Sequence, residues 1–557
     1  MKEVQEIWDK YDAMVRYNSN FRRNKNYYES VKVWNDFYNG DQWIGATPEQ
    51  NLPQMVFNII KRVVEFKIAS LTSSEISVNV EPLAYVATNE EENVITDSDI
   101  INAEIKNIFE KWNMKILKKD VLLDGAITGD MCFHITFNPD KKAFRGLDVV
   151  GEMEIETIDA TNIGFGNANI KNVDKQPYII IVGRDTVKNL EKEAKSKKVE
   201  SDNDTSYQAT DFAEVEIEAD NEGKALYIYL YEKRDGKVYV TKATKDVIIY
   251  EDIDTGLTRY PIAFSNWYKQ KGTYHGRGEV EGICNNQIAI NKMFSMIVFH
   301  QMMTAFPTAV YDADVLAGWS NKIGTAFALK GLAETGRSIK DVAGYLEPAN
   351  MSNYIIKVID LAFQYTKECL GVSDAALGQI DPKNTSAIIA VQKSTAVPLE
   401  NIKDNLYDLF EQVSLIVIDM MGSKYGVRPI LITDKDGNRI LETYDFSNLS
   451  GLDLKTSVDV GETTYYSEIA AVQTLDNLLS NQLIDFIDYL ERIPKEMIPQ
   501  KAELISKIKE KQQMIDNQAE YEQMASWLDK QSPEIQQQII NMPAEQQEQA
   551  VRELMYQ

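Results

Sequence analysis

Leu399, Ile402, Leu406, Leu409, Val413, Ile416 and Met420 step by three and four residues without a break. That spacing places all their side chains on one side of an α-helix, so the segment must lay a continuous apolar stripe against a partner surface. An earlier stripe, Met351, Ile355, Val358, Ala362, Tyr365 and Cys369, keeps the same spacing and is closed by Gly371. Between the two lies "GQIDPKNTSAIIAVQKSTAVPLENI", Gly378–Ile402. It begins as a polar loop rich in breakers (Gly378, Asp381-Pro382, Asn384) and continues as a helix-like run interrupted by Pro398. A chain built this way holds a polar loop between two long helices.

The other segments predict a mixed α+β fold. Residues 1–30 alternate charge with aromatics and read as one exposed helix, followed by a Gly40-Asp41 turn within "WNDFYNGDQW". Helical spacing marks Met55–Leu71 and the amphipathic run Ile100–Ala126, with Ile101, Ile105, Ile108, Phe109 and Trp112 on one face. "ISVNVEP" alternates like a strand, and "GDMCFHITFNPDKKAF" reads as a strand with a turn at Pro139-Asp140. Strand signals then dominate to about residue 265, with hairpins expected around Asp235-Gly236 and, later, Asp436-Gly437. The polar stretch Leu190–Asp220 reads as a mobile insertion. Glu279–Phe306 crowds apolar residues on more than one face, and Thr308–Asn350 is a compact, glycine-dotted mixed segment. From Ser467 onward the chain is helical and increasingly rich in Gln, with helix starts at Ser532-Pro533 and Met542-Pro543.

Several functions are disfavoured by composition and by missing motifs. With 85 Asp+Glu against 59 Lys+Arg, the surface repels nucleic acid on average, although a duplex can slide through an acidic hole without sticking. Three scattered cysteines (Cys132, Cys284, Cys369) favour free thiols in a reducing compartment. The N-terminus carries no apolar signal region, and the most apolar run, Met293–Phe306, is shorter than the roughly 18–20 residues of a membrane span. There is no phosphate-cradling GxxxxGK[ST], no GxSxG, HExxH or CxxC, and no zinc-type spacing among His134, His275 and His300. No cofactor or metal is therefore expected. Asp434, Asp436, Asn438 and Asp445 match a calcium loop only weakly, because Arg439 stands where that loop needs Gly. "GTYHGRGEVEG", Gly272–Gly282, reads as a hinge into a helix rather than a phosphate site. Lys383 in the polar loop, and Lys322, Lys330, Arg337 and Lys340 in the glycine-dotted segment, sit where weak phosphate contacts can form, or where they simply face solvent.

The serial order of these elements resembles the portal proteins of tailed bacteriophages. "DFYNGDQW" followed by "VFNIIKRVVEFKIASLTSS", then "VLLDGAITGDMCFHITFN" and "NTSAIIAVQKSTAVPLENIKDNLYDLFEQV", resemble that family's motifs. The resemblance implies a wing at 1–276 and stem helices at 277–306 and 350–371, with a clip at 307–349 between them. It further implies a tunnel loop at 372–385, a long bent wing helix at 386–422, a strand return at 423–466 and a helical crown at 467–557. It implies a non-enzymatic homo-oligomeric ring, most often a dodecamer, at one capsid vertex of the virion, assembled in the host cytoplasm. The ring would conduct double-stranded DNA in packaging and ejection and nucleate procapsid assembly with the major capsid and scaffolding proteins. It would also dock the terminase large subunit and the head-tail adaptor. Gly378, Gln379, Asp381, Pro382, Lys383, Asn384 and Thr385 would line the bore. Lys322, Lys330, Arg337 and Lys340 would belong to the clip, and Pro398 would mark a helix kink. Two alternatives stay open on sequence: another virion connector or scaffold component, and a hydrolase whose carboxylates meet only in three dimensions.

Overall fold

The computed structural model describes residues 4–21, 25–43, 53–72, 76–82, 97–142, 150–201, 222–305, most of 308–346, 354–369, 371, 385–433, 439–451, 454–460 and parts of 465–551. The chain divides into two compact units, 1–461 and 462–557. Helices α1 to α5 span Val4–Ser19, Tyr27–Asn39, Ile59–Thr72, Asp97–Lys111 and Met114–Thr128, with strand β1 (Ile76–Pro82) between α3 and α4. Strands β2 to β5 follow at Asp130–Lys142, Val150–Thr157, Ile163–Phe165 and Tyr178–Thr186, then α6 at Val187–Ser201. Strands β6 to β9 span Lys224–Arg234, Lys237–Thr244, Ile248–Asp254 and Ile262–Asn266. Next come α7 (Glu279–Ala305), β10 (Ala309–Tyr311), the short α8 (Ile339–Val342), β11 (Ala343–Tyr345), α9 (Tyr354–Cys369) and α10 (Thr385–Lys424). β12 (Val427–Thr433), β13 (Arg439–Asp445) and β14 (Leu454–Val460) close the first unit. The second unit contains α11 (Tyr465–Ser480) and α12 (Phe486–Arg492).

Strict alternation builds the five-stranded antiparallel sheet β4-β5-β6-β7-β8. Ile179 and Ile181 of β5 face the main core, while Ile180 and Val182 face a second cluster made with Ile7 and Met14 of α1. The first helix is thus bound to the sheet through a buried stripe rather than exposed along its length. The turn at Asp235-Gly236 joins β6 to β7 as its residues predict. The three-stranded sheet β3-β2-β9 lies under α10. All the stripe residues from Leu399 to Met420 are buried there, none more than 8% exposed. The α10 side chains also serve the edge of β9: Gln412 Oε1 accepts from Phe264 N–H (3.0 Å) and Gln412 Nε2 donates to Phe264 C=O (3.2 Å). An edge strand presents unpaired amides, and here a helix side chain satisfies them.

Several local expectations are corrected. The 100–126 run is two helices, broken at Trp112–Asn113, where Asn113 adopts φ 53°. β2 passes through Pro139-Asp140 with a register shift instead of turning there, because a bulge tolerates the missing proline N–H. Residues 187–201 are helical, with Leu190 and Ala194 buried and Glu193 Oε2 accepting from buried Lys242 Nζ at 2.6 Å. Residues 202–221 of the expected insertion lie outside the described residues. β12 and β13 pair antiparallel as expected, although their turn at 434–438 lies outside the described residues, as do Ser532-Pro533 and Met542-Pro543. β1 pairs with β14 across most of the chain, Ile76 opposite Val460, a partnership no local pattern announces.

The Gly272–Gly282 stretch is a locked junction. A side chain at Gly276 would overlap the Gly129 backbone, and Asp130 binds Gly276 N–H (2.6 Å) and His275 Nδ1 (2.5 Å) in a fully buried cluster. His275 Nε2 meets Asn18 Oδ1 at 3.0 Å, so the former "hinge" ties α1 to the end of α5.

Asp124 on α5 departs from its usual titration range. Burial first, then Asp159 and Asp120, push its carboxyl up to about 7. Between about pH 4 and pH 7 the unfolded chain releases this proton while the folded chain retains it, so stability falls as pH rises through that window. Asp124→Asn is expected to stabilise the protein by about 1–3 kcal/mol at pH 8 and by almost nothing at pH 4. Urea unfolding at the two pH values checks this; equal effects at both would remove the linkage.

Candidate functional site

The region between residues 279 and 398 combines a deeply anchored base with uncovered apolar faces. The base is the N-terminal part of α7. Glu279 sits 2.8 Å from Lys67 Nζ and accepts from Trp267 Nε1 (3.0 Å) and Tyr268 OH (3.1 Å). Lys67 and Glu279 are 2% and 5% exposed, so each charge depends on the other for compensation. Burial and then Glu279 push the Tyr268 phenol well up, which keeps it a neutral donor.

Further along α7, Gln287, Asn291 and Ser295 recur at four-residue spacing and receive an extended backbone. Ile59 N–H donates to Gln287 Oε1 (3.1 Å), Phe57 N–H to Asn291 Oδ1 (3.2 Å) and Met55 N–H to Ser295 Oγ (3.3 Å). Gln287 Nε2 donates to Phe57 C=O at 2.6 Å, and Asn291 Nδ2 donates to Gln42 Oε1 at 2.6 Å. These bonds explain why Met55–Asn58 is extended although its apolar spacing predicts helix: its amides are already satisfied by side chains. This ladder was not legible in the sequence. Its only signal was polar residues at regular spacing inside an otherwise apolar helix.

Beyond Ser295, α7 becomes exposed: Met296, Met302 and Met303 are 58%, 49% and 47% accessible. Helix α9 packs on α7 through Phe363 against Phe294 (centroids 5.7 Å apart) and through Asn286 Nδ2 donating to Thr366 Oγ1 (3.5 Å). Only Ile359 and Thr366 of α9 are buried among its described side chains. Among the described stripe residues, Ile355 and Ala362 are half-buried, while Val358 and Tyr365 are exposed, as are Tyr354, Ile356 and Leu361. Tyr354, Val358, Leu361 and Tyr365 share one side of the helix, with Ile356 on the other, and large apolar side chains concentrated on an exposed face mark an interaction surface.

The segment between α7 and α9 has its own small core. β10 pairs with β11, and Trp319 stacks between Tyr311 and Phe327 and meets Tyr345 edge-on. Ser338 and Asp341 form a capping box on α8. Lys322, Lys330 and Lys340 all lie on this segment and are exposed; Arg337 lies outside the described residues. Val310, Ile339, Tyr345 and Leu346 are also exposed here.

Gly378, Gln379, Asp381, Pro382, Lys383 and Asn384 lie outside the described residues, and Thr385 opens α10. Gly371, with φ +66°, lies so close to Pro398 that a Cβ there would come within 2.8 Å of the proline ring. Gly371 thus meets α10 at Pro398, and glycine is needed there for both the left-handed backbone and the close approach. The helix continues through Pro398, whose missing N–H leaves the carbonyl four residues earlier without its usual donor.

The region thus combines anchored long helices, a small β excursion and exposed apolar side chains. The chain belongs to the phage P22-like portal protein family, whose model matches residues 152–557. No curated protein matches the chain. Family membership makes this a tailed-phage portal protein, of a structural rather than catalytic kind, and implies a place at the capsid vertex of the virion. Among the described residues, no helix is long and apolar enough to cross a membrane.

Proposed function

We propose that this chain forms a homo-oligomeric ring, most often a dodecamer, that conducts double-stranded DNA into and out of the capsid. The uncovered apolar face of α9 and the distal part of α7 carry this reading, because a lone soluble chain gains nothing by exposing Tyr354, Val358, Leu361 and Tyr365 together. In the ring, α7 and α9 form the stem and 307–349 the clip that meets the terminase large subunit and later the head-tail adaptor. The ring also seeds assembly of the capsid and scaffolding proteins. The tunnel loop at 372–385 faces the bore.

The formal charge of −26 suits such a passage, since each neutralised phosphate strengthens binding through counterion release and a strongly basic bore would hold the duplex. Lys383 then supplies one weak phosphate contact per subunit. Shortening Gly378–Thr385, or exchanging Lys383 for Ala, is expected to leave rings that assemble normally and package DNA several-fold less efficiently. Electron microscopy of the purified rings and an in vivo packaging yield test the two halves separately. Normal packaging in both variants would remove the loop from the DNA path.

A further inference from the structure

A cavity of about 320 Å³ lies away from the stem, where three parts of the fold converge. It is lined by Lys171, Asn172, Val173 and Asp174 from the connection between β4 and β5, by Arg259 to Lys269 around β9, and by Asp408, Gln412 and Ile416 of α10. Three cations and two carboxylates face this space. Arg259 donates to Asp174 at 2.9 Å, and Lys269 lies 3.9 Å from Asp408. Lys171 has neither an ion pair nor a hydrogen bond among the described residues. Burial, then the neighbouring Lys269, lower its proton affinity, and the charge of Asp130 offsets this only in part. Ser265 also lines the cavity; it is 3% exposed and its hydroxyl has no hydrogen-bond partner. A buried, unsatisfied hydroxyl costs free energy unless something supplies a partner. Asn266 is not such a donor, because its amide already serves Asp130 and the Tyr274 carbonyl.

We propose that this cavity binds a small phosphate-class oxyanion, with the Lys171 ammonium and the Ser265 hydroxyl as its direct partners and Lys269 and Arg259 adding positive charge. The volume holds a tetrahedral anion together with several ordered waters. Bound there, the anion joins the 171–174 connection, the lead into β9 and helix α10, and so stiffens the seat on which α10 rests. The inference stands independently of the portal reading.

Thermal unfolding and calorimetric titration of the purified full-length protein test it, with inorganic phosphate at constant ionic strength. Wild type is expected to rise in Tm by a few degrees at saturating phosphate. Lys171→Gln should lose most of that rise while unfolding without phosphate at or above the wild-type Tm. Lys171→Arg should retain phosphate binding, and Ser265→Ala should weaken it by about tenfold. The general salting effect of phosphate is shared by all variants and cancels in the comparison. A deoxynucleoside monophosphate in place of phosphate separates the sources: tighter binding assigns a nucleotide, and equal or weaker binding assigns the free ion. No rise in wild type, or the same rise in Lys171→Gln, overturns the site.

Discussion

Exchanging Val358 and Tyr365 together for Glu should yield a folded monomer and no rings. Both side chains are exposed in the single chain, at 49% and 58%, so the fold itself loses little. In the proposed ring the same carboxylates would be buried against a neighbour without a cation. Each such charge costs several kcal/mol per interface, and a closed ring repeats that cost at every subunit contact. The expected result is loss of assembly by at least about 100-fold in concentration, read by mass photometry, with unchanged far-UV circular dichroism. Rings of normal size from this variant would mean that α9 faces something other than a second copy.

Lys67→Met is expected to cost about 3–5 kcal/mol, because it leaves Glu279 charged, 5% exposed and without its cation. The double variant Lys67→Met with Glu279→Gln should recover most of that loss. Gln keeps an acceptor for Trp267 and Tyr268 while removing the stranded charge. Denaturant unfolding is cleanest in the monomeric Val358→Glu, Tyr365→Glu background, where subunit contacts do not add to the measured stability. Equal destabilisation in the single and double variants would show that packing of the Lys67 stem, rather than the charge pair, holds α7. If the pair does anchor the base of the stem, the single variant should also assemble at a lower temperature limit than wild type.

The apolar stripe of α10 was legible residue by residue. Leu399 through Met420 all lie in the core, because one helix face with unbroken three- and four-residue steps has only one way to leave water. The strands of the five-stranded sheet and the Asp235-Gly236 turn were legible for the same reason. The α9 stripe was legible as helical, but not what covers it. Periodicity shows that a face is apolar but not which molecule covers it. Of the candidate site residues, Lys322, Lys330 and Lys340 are exposed on the segment between α7 and α9, and exposure alone assigns them no ligand.

Local pattern determined the helices, the alternating strands and the hairpin at Asp235-Gly236. These follow from the 3.6- and 2-residue periods and from turn chemistry, which act over a few residues. Only the tertiary structure decided that Met55–Asn58 is extended, that β1 finds β14, that Gly371 meets Pro398, and that Gly276 locks rather than flexes. Each of these depends on a partner distant in sequence. A backbone amide takes whichever acceptor the folded chain brings to it, and propensity yields where that acceptor is a buried Gln, Asn or Ser on another helix.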